Sequence, residues 1–226
     1  MTGVISRVLS STIGLKFIVG ITGAGMFAFT LVHMLGHLQM FAGPDAYNTY
    51  AATLQGLGAL KWLARAGLLA MIALHVWGTV TLTARNRAAR PEAYQKDRKV
   101  EASLASRTMI YSGLFLACFV LFHLAHFTLG WTHPDEFALQ DQLGRHDVYA
   151  GMVLAFQSPL MSLFYMVAVA LLCFHLSHGV SSLFRSLGLM SPRFRKLEEQ
   201  FAIVSAWSIF LGFVSVPVAI LVGVIR

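Results

Sequence analysis

The chain has 226 residues, 57% of them hydrophobic and only 12% charged, with a formal net charge of +7. A soluble domain carries about 25% charged residues, so this composition excludes an ordinary water-soluble globule and indicates one polytopic membrane domain over residues 1–226. The positive charges cluster at the ends of apolar runs, which assigns them to membrane topology and not to nucleic-acid binding.

In chain order, Met1 to Ser11 is short and mixed, and the apolar run after it is too long for a cleaved signal peptide, so none is expected. Five segments are long enough to cross about 30 Å of hydrocarbon at 1.5 Å per residue. Span I lies near 14–41, span II near 60–84, span III near 107–131, span IV near 158–184 and span V near 201–225. No internal repeat of fixed period is visible. Trp62, Trp131 and Trp77 fall near span ends, where aromatic belts sit. Gly14, Gly20, Gly23, Ala24, Gly25 and Ala28 in span I, and Ser177, Gly179, Ser181 and Ser182 in span IV, permit close approach of another helix or of a flat ligand. Cys118 and Cys173 lie in apolar runs without a CxxC or CxxCH motif. That argues against an iron–sulfur cluster or covalently attached haem, and both read as small buried hydrophobes.

Lysine and arginine divide unequally between the two sides. Thirteen fall at the N-terminus, the II–III loop and the IV–V loop, and only Lys61, Arg65, Arg145 and Arg226 fall on the other side. The excess places the N-terminus in the cytoplasm and the C-terminus outside. The expected fold is an all-α membrane protein, a bundle of five transmembrane helices in the cell's inner (cytoplasmic) membrane.

Seven of the nine histidines lie within spans: His33 and His37 in "LVHMLGH", His75 in "MIALHVWGTV", His123 and His126 in "FHLAHF", and His175 and His178 in "LLCFHLSHGV". His133 and His146 lie in the acidic III–IV loop. Ionisable groups inside a membrane are costly and mark function. Counting from the basic residues at the inner span ends puts His75 and His175 about 15 Å deep, and His33 and His123 about 25 Å deep. Two layers result, roughly 10 Å apart along the membrane normal. An iron held by two imidazoles needs one histidine from each of two facing helices at one depth. The depths therefore match His75 with His175 for an inner haem and His33 with His123 for an outer haem. His37, His126 and His178 come three or four positions after these residues, and spacing leaves open which member of each pair binds. A zinc or copper transporter would gather histidines with carboxylates at one central site, and no acidic residue lies in the core of any span.

The stretches "LVHMLGHLQMFAGPDAYN", "LHVWGTVTLTARN", "SGLFLACFVLFHLAHF" and "SPLMSLFYMVAVALLCFHLSHG" resemble the cytochrome b subunit of succinate dehydrogenases and fumarate reductases, in its single-subunit, di-haem, five-helix form. The resemblance covers nearly the whole chain. It implies His33, His75, His123 and His175 as axial ligands of two b haems, the first helix paired with the third and the second with the fourth. His37, His126 and His178 then become secondary. It further implies a membrane anchor for a flavoprotein subunit and an iron–sulfur subunit on the cytoplasmic side, with no dicarboxylate or flavin site of its own. Electrons would pass between those subunits and a membrane quinone, menaquinone or ubiquinone, through the two haems. The haem b subunit of a hydrogenase, formate dehydrogenase or nitrate reductase would distribute its ligands differently over the helices. One departure concerns the fourth helix, where some family members carry a proton-conducting acid; here Cys173 stands two residues before His175.

The quinone position is less defined. Asp45, Tyr47, Asn48 and Gln55 cluster in the outer I–II connection, where His37 and His126 are positioned to join them. Arg107 and Arg185, at inner span ends, are candidates for haem propionates, acidic lipid headgroups or the partner subunit.

Overall fold

The fold is that of a computed structural model, which describes residue 3 and residues 11–89, 104–189 and 192–226, without the side chains of 104–107. It is all-α, with no strand among the described residues. Five helices have the length and apolarity to cross a membrane, over Thr12–Ala42, Ala59–Ala88, Thr108–Thr128, Pro159–Ser186 and Arg195–Leu221. The chain is a multi-pass membrane protein.

Helix α1 (Thr12–His37) starts at Ser11, whose Oγ accepts from the Gly14 amide, and tightens into a 3₁₀ turn over Leu38–Ala42. Gly43, at φ 95°, turns the chain into α2 (Pro44–Gln55), where Pro44 occupies a first-turn position whose N–H would have no partner. Helix α3 (Ala59–Ala88) returns across the bundle. Helix α4 (Leu104–His123) ends in a wide π turn, Leu124–Thr128, just after His123. The III–IV connection holds the short α5 (Pro134–Phe137) and α6 (Val148–Gln157), the latter capped by Asp147. Ser158 and Pro159 then start α7 (Pro159–Ser186), and α8 (Arg195–Leu221) closes the bundle.

All main-chain groups of a span must bond within the span, since lipid offers no partner. Association therefore rests on close packing of small residues. Ala168, Ala202, Ala206 and Ile209 are wholly buried, and the last two help form the α7–α8 seam with Cys173 and Leu176. Gly78 admits Val19 between α1 and α3, Gly20 admits Leu183 and Leu187 between α1 and α7, and Gly212 admits Met34 between α1 and α8. The exterior is apolar: Ile13, Leu63, Leu121 and Leu160 are all about 70% exposed or more. Helix α3 packs chiefly on α1, while α7 packs on α1, α4 and α8.

The five spans occur where expected, with informative differences at their ends. Helix α8 begins at Arg195 and stops at Leu221, so Arg195 and Lys196 belong to the helix and not to the preceding loop. Arg85 and Arg87 likewise extend α3, stabilising its C-terminal turn against the helix dipole. Cys118 is exposed on the outside of the bundle, contrary to the buried position expected, whereas Cys173 is buried. An outward thiol facing lipid still has apolar surroundings, so hydropathy could not separate the two cases. Arg7, Arg90, Lys96, Arg98 and Lys99 lie outside the described residues.

Candidate functional site

The spans line one large cavity of about 1580 Å³, open in part to the outside of the bundle and reached by His33, His37, His75, His123, His175 and His178. Ligand pockets are commonly about 300–1,000 Å³, so the space exceeds what one ordinary ligand fills. We use inner for the end of the bundle where α1 begins, as the charge count expects, and outer for the opposite end, roofed by α2.

The inner histidines are held by one device used twice. His75 Nδ1 lies 3.2 Å from Thr22 Oγ1 and 3.2 Å from the Val19 carbonyl oxygen, both on α1. His175 Nδ1 lies 3.2 Å from Ser112 Oγ on α4. The Thr22 hydroxyl donates its own hydrogen to the Ile18 carbonyl at 2.7 Å, and Ser112 donates to the Met109 carbonyl at 3.1 Å. Each hydroxyl is thus left to accept from an Nδ1–H, and the Val19 carbonyl can only accept. Nδ1 therefore carries the proton in both rings, and the Nε2 lone pair is free for an electrophile or metal ion. Thr22 and Ser112 are buried, at 5% and 6% exposure, which would be costly for hydroxyls without these partners.

The next residue in each case is glycine. A Cβ on Gly23 would stand 3.3 Å from His75 Cε1, and one on Gly113 would stand 3.3 Å from His175 Cε1. Each ring therefore brings its Cε1–Nδ1 edge close to a helix backbone, where a side chain would crowd it.

The outer pair is arranged differently. The ring centres of His33 and His123 are 5.9 Å apart at an interplanar angle of 80°. Two imidazoles on opposite sides of one metal ion, each bonded at about 2.0–2.1 Å, place their ring centres roughly 6 Å apart. His123 Nδ1 is buried with no hydrogen-bond partner among the described residues. Tyr47 Oη lies 2.7 Å from His37 Nδ1, and His37 Nε2 lies 3.2 Å from His33 Nε2. Burial, reinforced by nearby Tyr50, pushes the Tyr47 phenol well above its ordinary range, so Tyr47 stays protonated and donates to His37. His37 Nε2–H then donates to the His33 Nε2 lone pair, the same lone pair a metal ion would take, so this contact must give way for His33 to bind one. Phe29 and Phe119 stack on His33 and His123. The π turn directly after His123 swings His126 into the protein, where it is 4% exposed and its Nδ1 meets Tyr165 Oη at 2.9 Å. His126 lines a small pocket of about 30 Å³ with His133 and His146, apart from the large cavity.

The remaining sequence candidates separate clearly. Of the I–II cluster, only Tyr47 reaches the histidines. Asn48, 1% exposed, donates to Asp147 at 2.9 Å and accepts from the Tyr149 amide at 3.0 Å, and Asp45 pairs with Arg145 at 2.8 Å. Gln55 accepts from Lys61. Asn48 and Asp45 thus clasp α2 to the III–IV connection and roof the outer end of the bundle. Within the clasp, desolvation raises the Asp141 carboxyl, but hydrogen bonds from the Arg145 side chain, its amide and the Leu143 amide outweigh it and hold Asp141 below the ordinary carboxylate value. Hydrogen bonds from Arg145 to Asp45 and Asp141 raise the arginine further. At the inner end, the Arg185 guanidinium turns to Glu199 at 3.9 Å and does not line the cavity. The Arg107 side chain lies outside the described residues. Two anchoring pairs, Thr22–Gly23 and Ser112–Gly113, are not apparent from sequence reasoning. Their signal is present as T-G and S-G, each glycine ten residues before an outer histidine.

These features define an all-α, multi-pass membrane protein with six histidines from four spans lining one shared cavity. Neither a family model, nor a curated protein, nor a solved structure matches the chain.

Proposed function

We propose that the chain is the membrane-anchoring cytochrome b subunit of a succinate:quinone oxidoreductase, a succinate dehydrogenase or fumarate reductase of the cytoplasmic membrane, with its N-terminus in the cytoplasm. The observation that carries the haem reading is the matched anchoring of His75 and His175, which leaves both Nε2 lone pairs free within one cavity. The residues fit two b haems on four further counts. There are two depth layers of two histidines, an outer pair at about the spacing of two imidazoles across one metal ion, glycines that make room for the inner rings, and a buried His123 Nδ1 without a partner among the described residues. His75 and His175 would hold the inner haem, and His33 and His123 the outer one. Bis-histidine haem supplies reversible one-electron transfer, and two such groups in line would span most of the bilayer.

The chain's own residues divide the remaining work. Thr22 and Ser112 orient the inner ligands and fix their tautomers. Tyr47 donates to His37 beside the outer ligand His33, and the two are placed to exchange protons with a quinone at the outer end, the quinone being menaquinone or ubiquinone. The apolar exterior holds the anchor in lipid. The assignment of flavoprotein and iron–sulfur subunits as partners rests on the sequence resemblance to that family.

The test is purification of the tagged full chain from its own membranes in mild detergent, with assay of the eluate. Co-eluting flavin and iron–sulfur subunits with succinate-dependent quinone reduction, or quinol-dependent fumarate reduction, are expected. A haem-bearing chain that elutes with a hydrogenase, formate dehydrogenase or nitrate reductase would overturn the enzyme assignment.

A further inference from the structure

The hairpins α1–α3 and α4–α7 share one pattern beyond their inner histidines. Gly23 faces His75, and Gly113 faces His175. Ten residues beyond each glycine stands an outer histidine, His33 or His123. Ten residues before each inner histidine, on the antiparallel partner helix, stand Arg65 and Tyr165. Ten helical residues rise about 15 Å on either helix, so Arg65 is level with His33 and Tyr165 with His123. The second hairpin displays this directly, for the rings of Tyr165 and His123 are 6.1 Å apart.

Arg65 therefore places a permanent cation at the depth of the outer histidine layer. It is half-buried and lines the same cavity as His33. Its guanidinium lies over the Trp62 ring, 5.2 Å from the centroid. The carboxylates that form ion pairs among the described residues are Asp45, Asp141 and Glu199, and none of them pairs with Arg65. A charge within a span faces an internal cavity and takes an opposite charge there. Its counterpart Tyr165 is neutral, and its hydroxyl is already committed to His126.

We propose that Arg65 is the anion anchor of the outer layer, its guanidinium binding a propionate carboxylate of the haem held by His33 and His123. Trp62 holds the guanidinium by cation–π contact, and the planar fork is suited to a carboxylate in two parallel hydrogen bonds. This inference rests on the haem reading. It assigns a role to a residue that the count of charges treats only as a topology marker.

The experiment is an optical redox titration of the purified full chain and of R65Q and R65K, with haem counted by pyridine haemochrome. H33A identifies which spectral component is the outer haem. Removing a positive charge beside the haem favours the ferric form. In R65Q both haems are expected to stay, with the outer couple shifted about tenfold toward oxidised, or about 59 mV lower for one electron. The inner couple stays in place, and R65K recovers part of the shift. Selective loss of the outer haem in R65Q but not in R65K supports the same conclusion. Unchanged outer potential in R65Q with both haems bound would overturn the inference alone, as would equal loss of the outer haem in R65Q and R65K. A wild-type chain without haem would overturn the haem reading itself.

Discussion

The two inner anchors look alike but differ in redundancy, and that difference can be measured. His75 Nδ1 has two acceptors, Thr22 Oγ1 and the Val19 carbonyl, each at 3.2 Å. His175 Nδ1 has Ser112 Oγ as its one acceptor among the described residues. Thr22→Val keeps the shape and leaves Val19 in place, so the loss is that of one ordinary hydrogen bond, about 0.5–1.5 kcal/mol. Ser112→Ala leaves a buried Nδ1–H without a partner, at about 1–3 kcal/mol. At about 1.4 kcal/mol per tenfold, inner-haem retention should fall several-fold in T22V and roughly ten- to a hundredfold in S112A, the range typical for groups behind a metal ligand. Without its acceptor, His175 also loses the preference for the tautomer that frees Nε2. The assay is transfer of haem to an excess of a haem-scavenging protein, monitored optically, with Ser112→Thr as the conservative control. Equal effects of T22V and S112A, or no effect of S112A, would refute the tautomer argument.

The pairing of ligands is tested by deletion. His75→Ala and His175→Ala should each remove the inner haem, and His33→Ala and His123→Ala the outer one, as read from reduced-minus-oxidised spectra; loss of one haem from each layer by a single substitution contradicts the pairing. His178→Ala should leave two haems bound, and loss of a haem would mean that the second histidine of "HLSH" is the ligand. Asn48→Ala strips partners from Asp147 and the buried Tyr149 amide, and should lower the stability of the outer roof by about 2–3 kcal/mol, seen as faster proteolysis within residues 138–147 while the spans stay intact. The lowered Asp141 carboxyl favours the clasp fully above its ordinary value, and that contribution is lost as pH falls through the lowered folded value. Exchange of the Leu143 and Arg145 amides, corrected for intrinsic rates, should therefore stay flat from neutral pH to about 4 and rise below it. A rise near pH 6 would implicate another group.

Hydropathy is enough for five spans, because a run of some twenty apolar residues has one outcome in a bilayer. The two histidine layers are legible by simple counting, since helical rise is uniform and the basic residues mark one boundary. Rotation about each helix axis is not legible. It decides that Cys118 faces outward and Cys173 inward, and that Thr22 and Ser112 meet imidazoles rather than lipid. A hydroxyl in a span bonds back to its own helix in either case, so its second contact leaves no trace in composition. The outer clasp is hidden for another reason. It joins Asn48 to Asp147 and Asp45 to Arg145 across about a hundred residues, and each alone reads as an ordinary polar loop position. Arg65 reads as a surface charge in the sequence because it lies only six residues inside α3; its level with His33 emerges only once Gly23 is seen against His75.

The most direct test of the central claim is a dithionite-reduced minus oxidised spectrum of the purified chain, with pyridine haemochrome quantified against protein. The arrangement of His33, His75, His123 and His175 predicts two b haems per chain, both six-coordinate. A folded chain, produced with haem available, that binds none would contradict the account.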